Sequence, residues 1–155
     1  MSQLSLANYI NNFGGALLAL LSTPTPVPVH YAYNPKAAQE TEFVVWAIRN
    51  VSQEVWTGAQ ENKGIDRPIF GITLFTKTAA RQAALVDKIN SWHGYNGNLN
   101  GISVGKAAVD VVVTTYDEES SLYQAVIDIA MQVAVPTFPT AAFAAQTSTS
   151  LFRRI

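Results

Sequence analysis

Two histidines, His30 and His93, are the only imidazoles in 155 residues, and no cysteine is present. The missing thiols exclude disulfides, thiolate nucleophiles and zinc sites of the cysteine type. His30 stands among aromatics in "VPVHYAY" and His93 precedes a turn in "SWHGYN", neither beside a plausible nucleophile. No HExxH, GxSxG, Walker A or GxGxxG spacing occurs, so the usual signatures of metal, acyl and phosphoryl chemistry are missing. The densest carboxylate run is Asp117, Glu118 and Glu119 in "YDEE". A hard cation needs more oxygen ligands than this run supplies, so it reads as a solvated hairpin turn. "GYNGNLNG" is glycine-rich but follows a helical pattern and precedes a strand, the reverse of the order a phosphate cradle needs. The expectation is therefore a chain without catalytic residues, cofactor or metal.

The tryptophans carry no interleaved Lys or Arg of the kind a nucleic-acid stacking platform uses. Trp46 and Trp92 fall in apolar patterns and read as core. Trp56, in a polar segment, is the candidate exposed anchor.

Charge is sparse and uneven. Charged residues make up 14% of the chain, against roughly 25% in an average soluble domain, while hydrophobic residues make up 48%. The net charge of −1 implies neither nucleic acid nor an anionic membrane as a partner. Residues 1–35 and 129–152 contain no Asp, Glu, Lys or Arg. Either these are loose Thr/Ala/Pro-rich ends, or other subunits cover them. "LANYINNFGGALLALL" is not a membrane segment: Asn8, Asn11 and Asn12 interrupt it, and no basic residue precedes it.

Elements follow from periodicity. Leu6, Tyr9, Ile10, Phe13, Leu17, Leu20 and Leu21 recur at helical steps, with Ser2 or Ser5 as the N-cap. Gly14-Gly15 weakens the middle, so a break is conceivable there. Pro24, Pro26 and Pro28 end the helix, and "VPVHYAY" reads as a short edge strand. "FVVWAIRN" is apolar on both faces, as a covered central strand would be. Residues 51–66 read as a long loop or a projecting hairpin. "RPIFGITLFT" is a further strand, and "KTAARQAALVDKINSWHG" a helix with Leu85, Ile89 and Trp92 on one stripe and Gly94 at its end. "YNGNLNG" is turn chemistry throughout.

In "LYQAVIDIAMQVAV", residues 122–135, every odd position from Tyr123 to Val133 is apolar. Strict alternation favours a strand, although Ala, Gln and Met dilute strand propensity and leave a helix as the competitor. With "VGKAAVDVVVTTYD" it forms a long hairpin, expected to place Val109, Val111, Val113, Ile127 and Ile129 on a covered face. The layout is α+β: a mainly antiparallel sheet with helices packed on one face and a long C-terminal β-hairpin. Residues 1–135 read as a single domain. Residues 136–155, with Phe138, Phe143, Leu151 and Phe152 at no regular period, read as a C-terminal arm.

Several stretches, "SLANYINNFGGALLALL", "RPIFGITLFT", "TAARQAALVDKINSWHGYNGNLNGISV" and "SLYQAVIDIAMQV", together resemble the tail terminator (tail completion) proteins of long-tailed bacteriophages. The resemblance spans residues 4–133 and lies in the order of elements rather than in a short motif. It departs at Gln124, where the family often has a basic residue, and over 51–66 and 136–155. The resemblance implies a homohexameric ring that caps the head-proximal end of the tail tube, stops its polymerisation and joins it to the neck. Its partners would be the tail tube protein and a neck or connector protein, in the virion tail, after assembly in the host cytoplasm. DNA would pass through without being read.

On that reading Trp56, Tyr123, Ile127, Ile129, Phe138, Phe143 and Phe152 are candidate subunit contacts. Asp117, Glu118 and Glu119 are candidates for the channel or its rim. The alternatives are another neck or tail-tube ring subunit, or a cofactor-free small-ligand-binding or enzymatic α+β domain.

Overall fold

The computed structural model describes residues 6–23, 25–55, 64–100 and 102–135. Its first element, α1 (Leu6–Leu21), buries Tyr9, Phe13, Leu17 and Leu21, a stripe at four-residue steps. The expected serine caps lie outside the described residues. The helix runs through Gly14-Gly15 without a break, because Gly14 has a packing role. A Cβ there would stand 2.9 Å from Trp46 Cζ2, so its absence lets the indole lie against the helix.

Three strands precede the second helix. They are β1 (Val29–Tyr31), β2 (Phe43–Val55) and β3 (Gly64–Thr76). Helix α2 (Ala79–Asn90) starts where Thr78 Oγ1 accepts the Arg81 N–H at 3.1 Å. Gly94, expected at the helix end, has φ +79, a conformation glycine adopts without strain. Three strands follow: β4 (Gly97–Leu99), β5 (Ile102–Asp117) and β6 (Leu122–Val135). The turn sequence "YNGNLNG" thus contains a short strand, paired with residues 102–104 of β5.

All six strands form one sheet in the order β1-β2-β3-β6-β5-β4. Every pairing is antiparallel except β1 with β2. Of residues 51–66, 51–55 and 64–66 are strand and pair in the long β2–β3 hairpin, while its connection lies outside the described residues. The closing hairpin β5–β6 joins β3 through β6, with Gly64 opposite Val135 and Thr76 opposite Tyr123.

Both helices cover one face of this sheet. Phe13 stacks on Phe70 with centroids 3.8 Å apart, and Trp46 and Trp92 meet the Phe13 ring at 4.9 and 5.7 Å. Leu85 and Ile89 of α2 join the same cluster as Ile72, Leu74, Ala125, Ile127, Ile129, Met131 and Val133. The odd positions of β6 therefore carry the core, as period two requires. Each such aliphatic side chain contributes about 1.5–3 kcal/mol by leaving water.

The other arm of the hairpin departs from its pattern. Val111 and Val113 were expected on the covered face but are 39% and 44% exposed. A bulge lies between them: Val111 pairs with Ile127, whereas Val113 pairs with Val126, on the opposite face. One inserted residue, Val112, turns the strand over from Val113 onward, whereas Val111 keeps the face of its partner Ile127 and is exposed on the outer strand β5, beyond the residues that β4 pairs with.

Candidate functional site

The sheet face away from the helices is the first candidate surface. Along β2 the residues pointing there are Phe43, Val45, Ala47 and Arg49; on β3 they are Phe75, Thr73, Gly71 and Ile69. Most are half-buried, although β2 was expected to be covered on both sides. The reason is that α1 and α2 both pack on the opposite face. Phe43 and Phe75 stack at 4.6 Å and supply part of the missing cover themselves.

Polar order on this face centres on one ion pair. Arg49 Nη1 donates to both carboxylate oxygens of Asp128 at 2.8 Å, reaching from β2 across β3 to β6. The path runs over Gly71, where a Cβ would meet Arg49 Cδ at 2.6 Å. Asp110 of β5 sits directly opposite Asp128, a like-charge pairing that costs stability unless offset. Arg49 offsets it. The two charges were visible in the sequence as the sole ionisable residues of "FVVWAIRN" and of 122–135, but their meeting depends on the β2-β3-β6 order.

At one end of this face, residues 32–42 rise over the sheet and form a shallow groove of about 480 Å³ with Tyr33, Asn34, Phe43, Phe75, Leu122 and Gln124 among its lining. A carboxylate fixes this loop. Glu40 Oε1 lies 2.9 Å from His30 Nε2 and accepts Asn34 Nδ2 at 2.9 Å, while Asn34 Oδ1 accepts the Lys36 N–H at 2.8 Å. Desolvation pushes the Glu40 carboxyl upward, but the bonds from His30 and Asn34 and the charges of His30 and Lys36 outweigh it. Its pKa is lowered on balance. Tyr33, at the rim, is 73% exposed.

His93 is likewise structural: its Nδ1 accepts the Val109 N–H at 3.0 Å. Neither histidine stands beside a nucleophile. Among the described residues no group of three or more His, Cys, Asp or Glu could hold a metal ion. In the core, the Tyr9 hydroxyl donates to Asp66 Oδ2 at 2.6 Å. Asp66 is buried beneath α1, which its position in a polar stretch did not announce.

The expected contact residues are scattered. Ile127 and Ile129 are fully buried by this chain's own helices and cannot touch a neighbour, which corrects their reading as subunit contacts. Tyr123 is half-buried, with its ring 4.9 Å from that of Tyr116. Trp56, Phe138, Phe143 and Phe152 lie outside the described residues. Asp117, Glu118 and Glu119 occupy the β5–β6 turn. Asp117 Oδ2 accepts the Ser120 hydroxyl at 2.7 Å and Oδ1 accepts the Glu119 N–H at 3.2 Å. The Ser120 bond, with the backbone bonds from Glu119 and Ser120, holds the Asp117 carboxyl below its usual range against some desolvation. Asp117 thus builds the turn, while Glu118 and Glu119 face solvent.

The sheet edges are the second candidate surface. Beyond Val109, no described strand pairs with the outer side of β5, and Val111, Val112, Val113 and Tyr116 are exposed there. On the opposite edge, β1 covers only residues 44–46 of β2.

Among the described residues no helix is long and apolar enough to cross a membrane. No protein-family model and no curated protein matches the chain. One solved protein, whose name states no function, superposes with a TM-score of 0.54 at 12% identity, over 88% of this chain and 99% of that one. That likeness shows a shared fold. A chain of the "Virion of native gene transfer agent (GTA) particle" reaches a TM-score of 0.49 at 17% identity, over 77% of this chain and 83% of its own. A chain of the "Extracellular Contractile Injection System, PVC sheath/tube terminator in extended state" also reaches 0.49, at 11% identity, over 90% of this chain and 62% of its own.

Proposed function

We propose that this chain is a non-enzymatic structural subunit of a ring at the head-proximal end of a phage-type tail. The ring ends tube polymerisation and joins the tail to the neck. The observation that carries the reading is the one-sided sheet. Among the described residues two helices cover one face, whereas the other keeps apolar side chains half-exposed, and both edges are partly without a paired strand. A protein that works alone covers or charges such surfaces; a subunit leaves them for its neighbours. The low charged fraction of 14% fits a surface given over to contacts. The stretches resembling tail terminators supply the kind of assembly.

On this reading six copies close a ring through two different patches on each subunit. The tail tube protein and a neck protein bind its two sides, and the particle resides in the virion after assembly in the host cytoplasm. DNA passes without sequence-specific contact, with Glu118 and Glu119 at the channel or its rim. Residues 1–135 form the body and 136–155 an arm that clasps a neighbouring subunit. Light scattering on the purified chain tests this: the expected mass is close to six chains, and tube polymerisation in its presence stops at short lengths. A stable monomer without effect on tube growth overturns the proposal.

A further inference from the structure

Each outer edge of the sheet is guarded over one half and bare over the other. On the β2 side the guard is β1, which pairs with residues 44–46, with Ala32 N–H adding a bond to Trp46 O at 2.7 Å. Residues 48–55 of β2 have no strand on that side among the described residues. On the β5 side the guard is β4, which pairs with residues 102–104. Gly94, Tyr95 and His93 continue it by bonding Ala107 and Val109. Residues 110–117 have no strand on that side among the described residues.

The bare halves lie at diagonal corners. Residues 110–117 run beside 122–128 of β6, level with the part of β2 that β1 guards. Residues 48–55 run beside 64–70 of β3, level with the part of β5 that β4 guards.

We infer that residues 110–117 of one copy pair, antiparallel, with residues 48–55 of the next, so that the sheet continues from subunit to subunit. This inference rests on the ring reading above and names the contact that makes it. Four features select a second copy as the occupant. The two bare stretches have matching length. Within the sheet β2 and β5 run in opposite directions, so copies repeated in one sense about an axis bring them together antiparallel, which is the stabler pairing. The guards block the other halves and so fix one staggered register. Finally, residues 111–116, "VVVTTY", carry no charge and no proline, two of the devices that natural edges use against pairing, and the charges of Asp110 and Asp117 stand only at the ends of the stretch.

The bulges at Arg49 and Val112 lie within or beside the bare stretches and bend them, as a sheet closing on itself requires. The contact uses different patches on its two sides, a geometry that closes into a ring when its rotation closes and otherwise grows an open filament.

The absence of native cysteine makes cross-linking a clean test. Asn50→Cys or Ser52→Cys is combined with Thr115→Cys in the full chain; all three positions are exposed. Mild oxidation is expected to give a reducible ladder of covalent multimers from a double variant, and none from the single variants. Adding Val112→Lys is expected to cut the ladder yield at least tenfold while leaving the unfolding of the dilute, unassembled chain unchanged, since that side chain is already 53% exposed. A particle of six chains that gives no ladder overturns the edge contact and leaves the ring reading standing. A ladder from an open-ended filament supports the edge contact and overturns the ring. A monomer without a ladder overturns both.

Discussion

Gly14 and Gly15 are neighbours in one helix, and alanine at each is expected to change stability in opposite directions. In a helix interior, replacing Gly by Ala stabilises by about 1 kcal/mol through backbone entropy alone. At Gly15 the new Cβ would meet only Asn100 Nδ2, at 2.7 Å, the far end of an exposed side chain that can swing away. The loss is its 3.2 Å bond to Asn12 O, worth roughly 0.5 kcal/mol at an exposed site. The net gain is about 0.5 kcal/mol. At Gly14 the Cβ would stand 2.9 Å from Trp46 Cζ2. That indole is 3% exposed and wedged among Phe13, Tyr31 and Phe70, so relief must move the helix or the ring stack. Such overpacking costs about 1–3 kcal/mol, which leaves a net loss of up to about 2 kcal/mol. The two variants should then differ by roughly 0.5–2.5 kcal/mol, or about 1–10 °C in melting temperature at this chain length. Urea unfolding at one fixed protein concentration separates them, since assembly adds its own concentration-dependent stability. If Gly14→Ala stabilises the protein as much as Gly15→Ala, the helix does not rest on Trp46 through that glycine.

Ile127→Asp places an unpaired charge at the centre of the core, at roughly several kcal/mol, and should yield insoluble or unfolded protein; soluble, fully assembled variant would contradict the burial of β6. Glu40 has a lowered carboxyl pKa in the folded protein, so its contribution is present above the ordinary glutamate value of 4.5 and is lost as pH falls through the folded one. Amide protection in residues 32–42, taken relative to intrinsic exchange, should fall as pH falls across that acid range in the parent, and Glu40→Gln should flatten the response. Arg81 Nε donates to Glu42 at 2.8 Å and Nη2 to Thr25 O at 3.0 Å, so Arg81→Ala should cost about 1–2 kcal/mol in urea unfolding, where an unchanged midpoint would show that these bonds add nothing. With ten basic residues against eleven acidic ones, the purified protein should bind duplex DNA weakly and without sequence preference at physiological salt; tight binding with a steep salt dependence would contradict the conduit reading.

The legible parts of the fold were those written in local periodicity. Four-residue steps from Tyr9 to Leu21 and two-residue steps from Tyr123 to Val133 each marked one buried face, and the structure buries those faces. What escaped depends on partners distant in sequence. The Val112 bulge is invisible in "VVV", since nothing in three valines says which one is inserted. The parallel partner of β1 cannot be read from the strand itself, and Asp66 is buried only because α1 brings Tyr9 above it. The bare edges escaped for the same reason. An edge is a property of strand order, and strand order was not in the pattern.

The position of β6 between β3 and β5 has a consequence for the order of events during synthesis. The β2–β3 hairpin can pair as soon as residue 76 is available, because its partners are close in sequence. Strand β5 follows after α2 and β4 but cannot join that hairpin, since its place in the sheet is held against β6, which is made after it. Until residues 122–135 leave the ribosome, β3 keeps an unpaired side and β5 has no sheet to extend. The nascent chain therefore gains its final outer edge only when its last described strand inserts. Until then the unpaired sides of β3 and β5 are open to a neighbouring nascent chain, and the timing of one strand sets how long that exposure lasts.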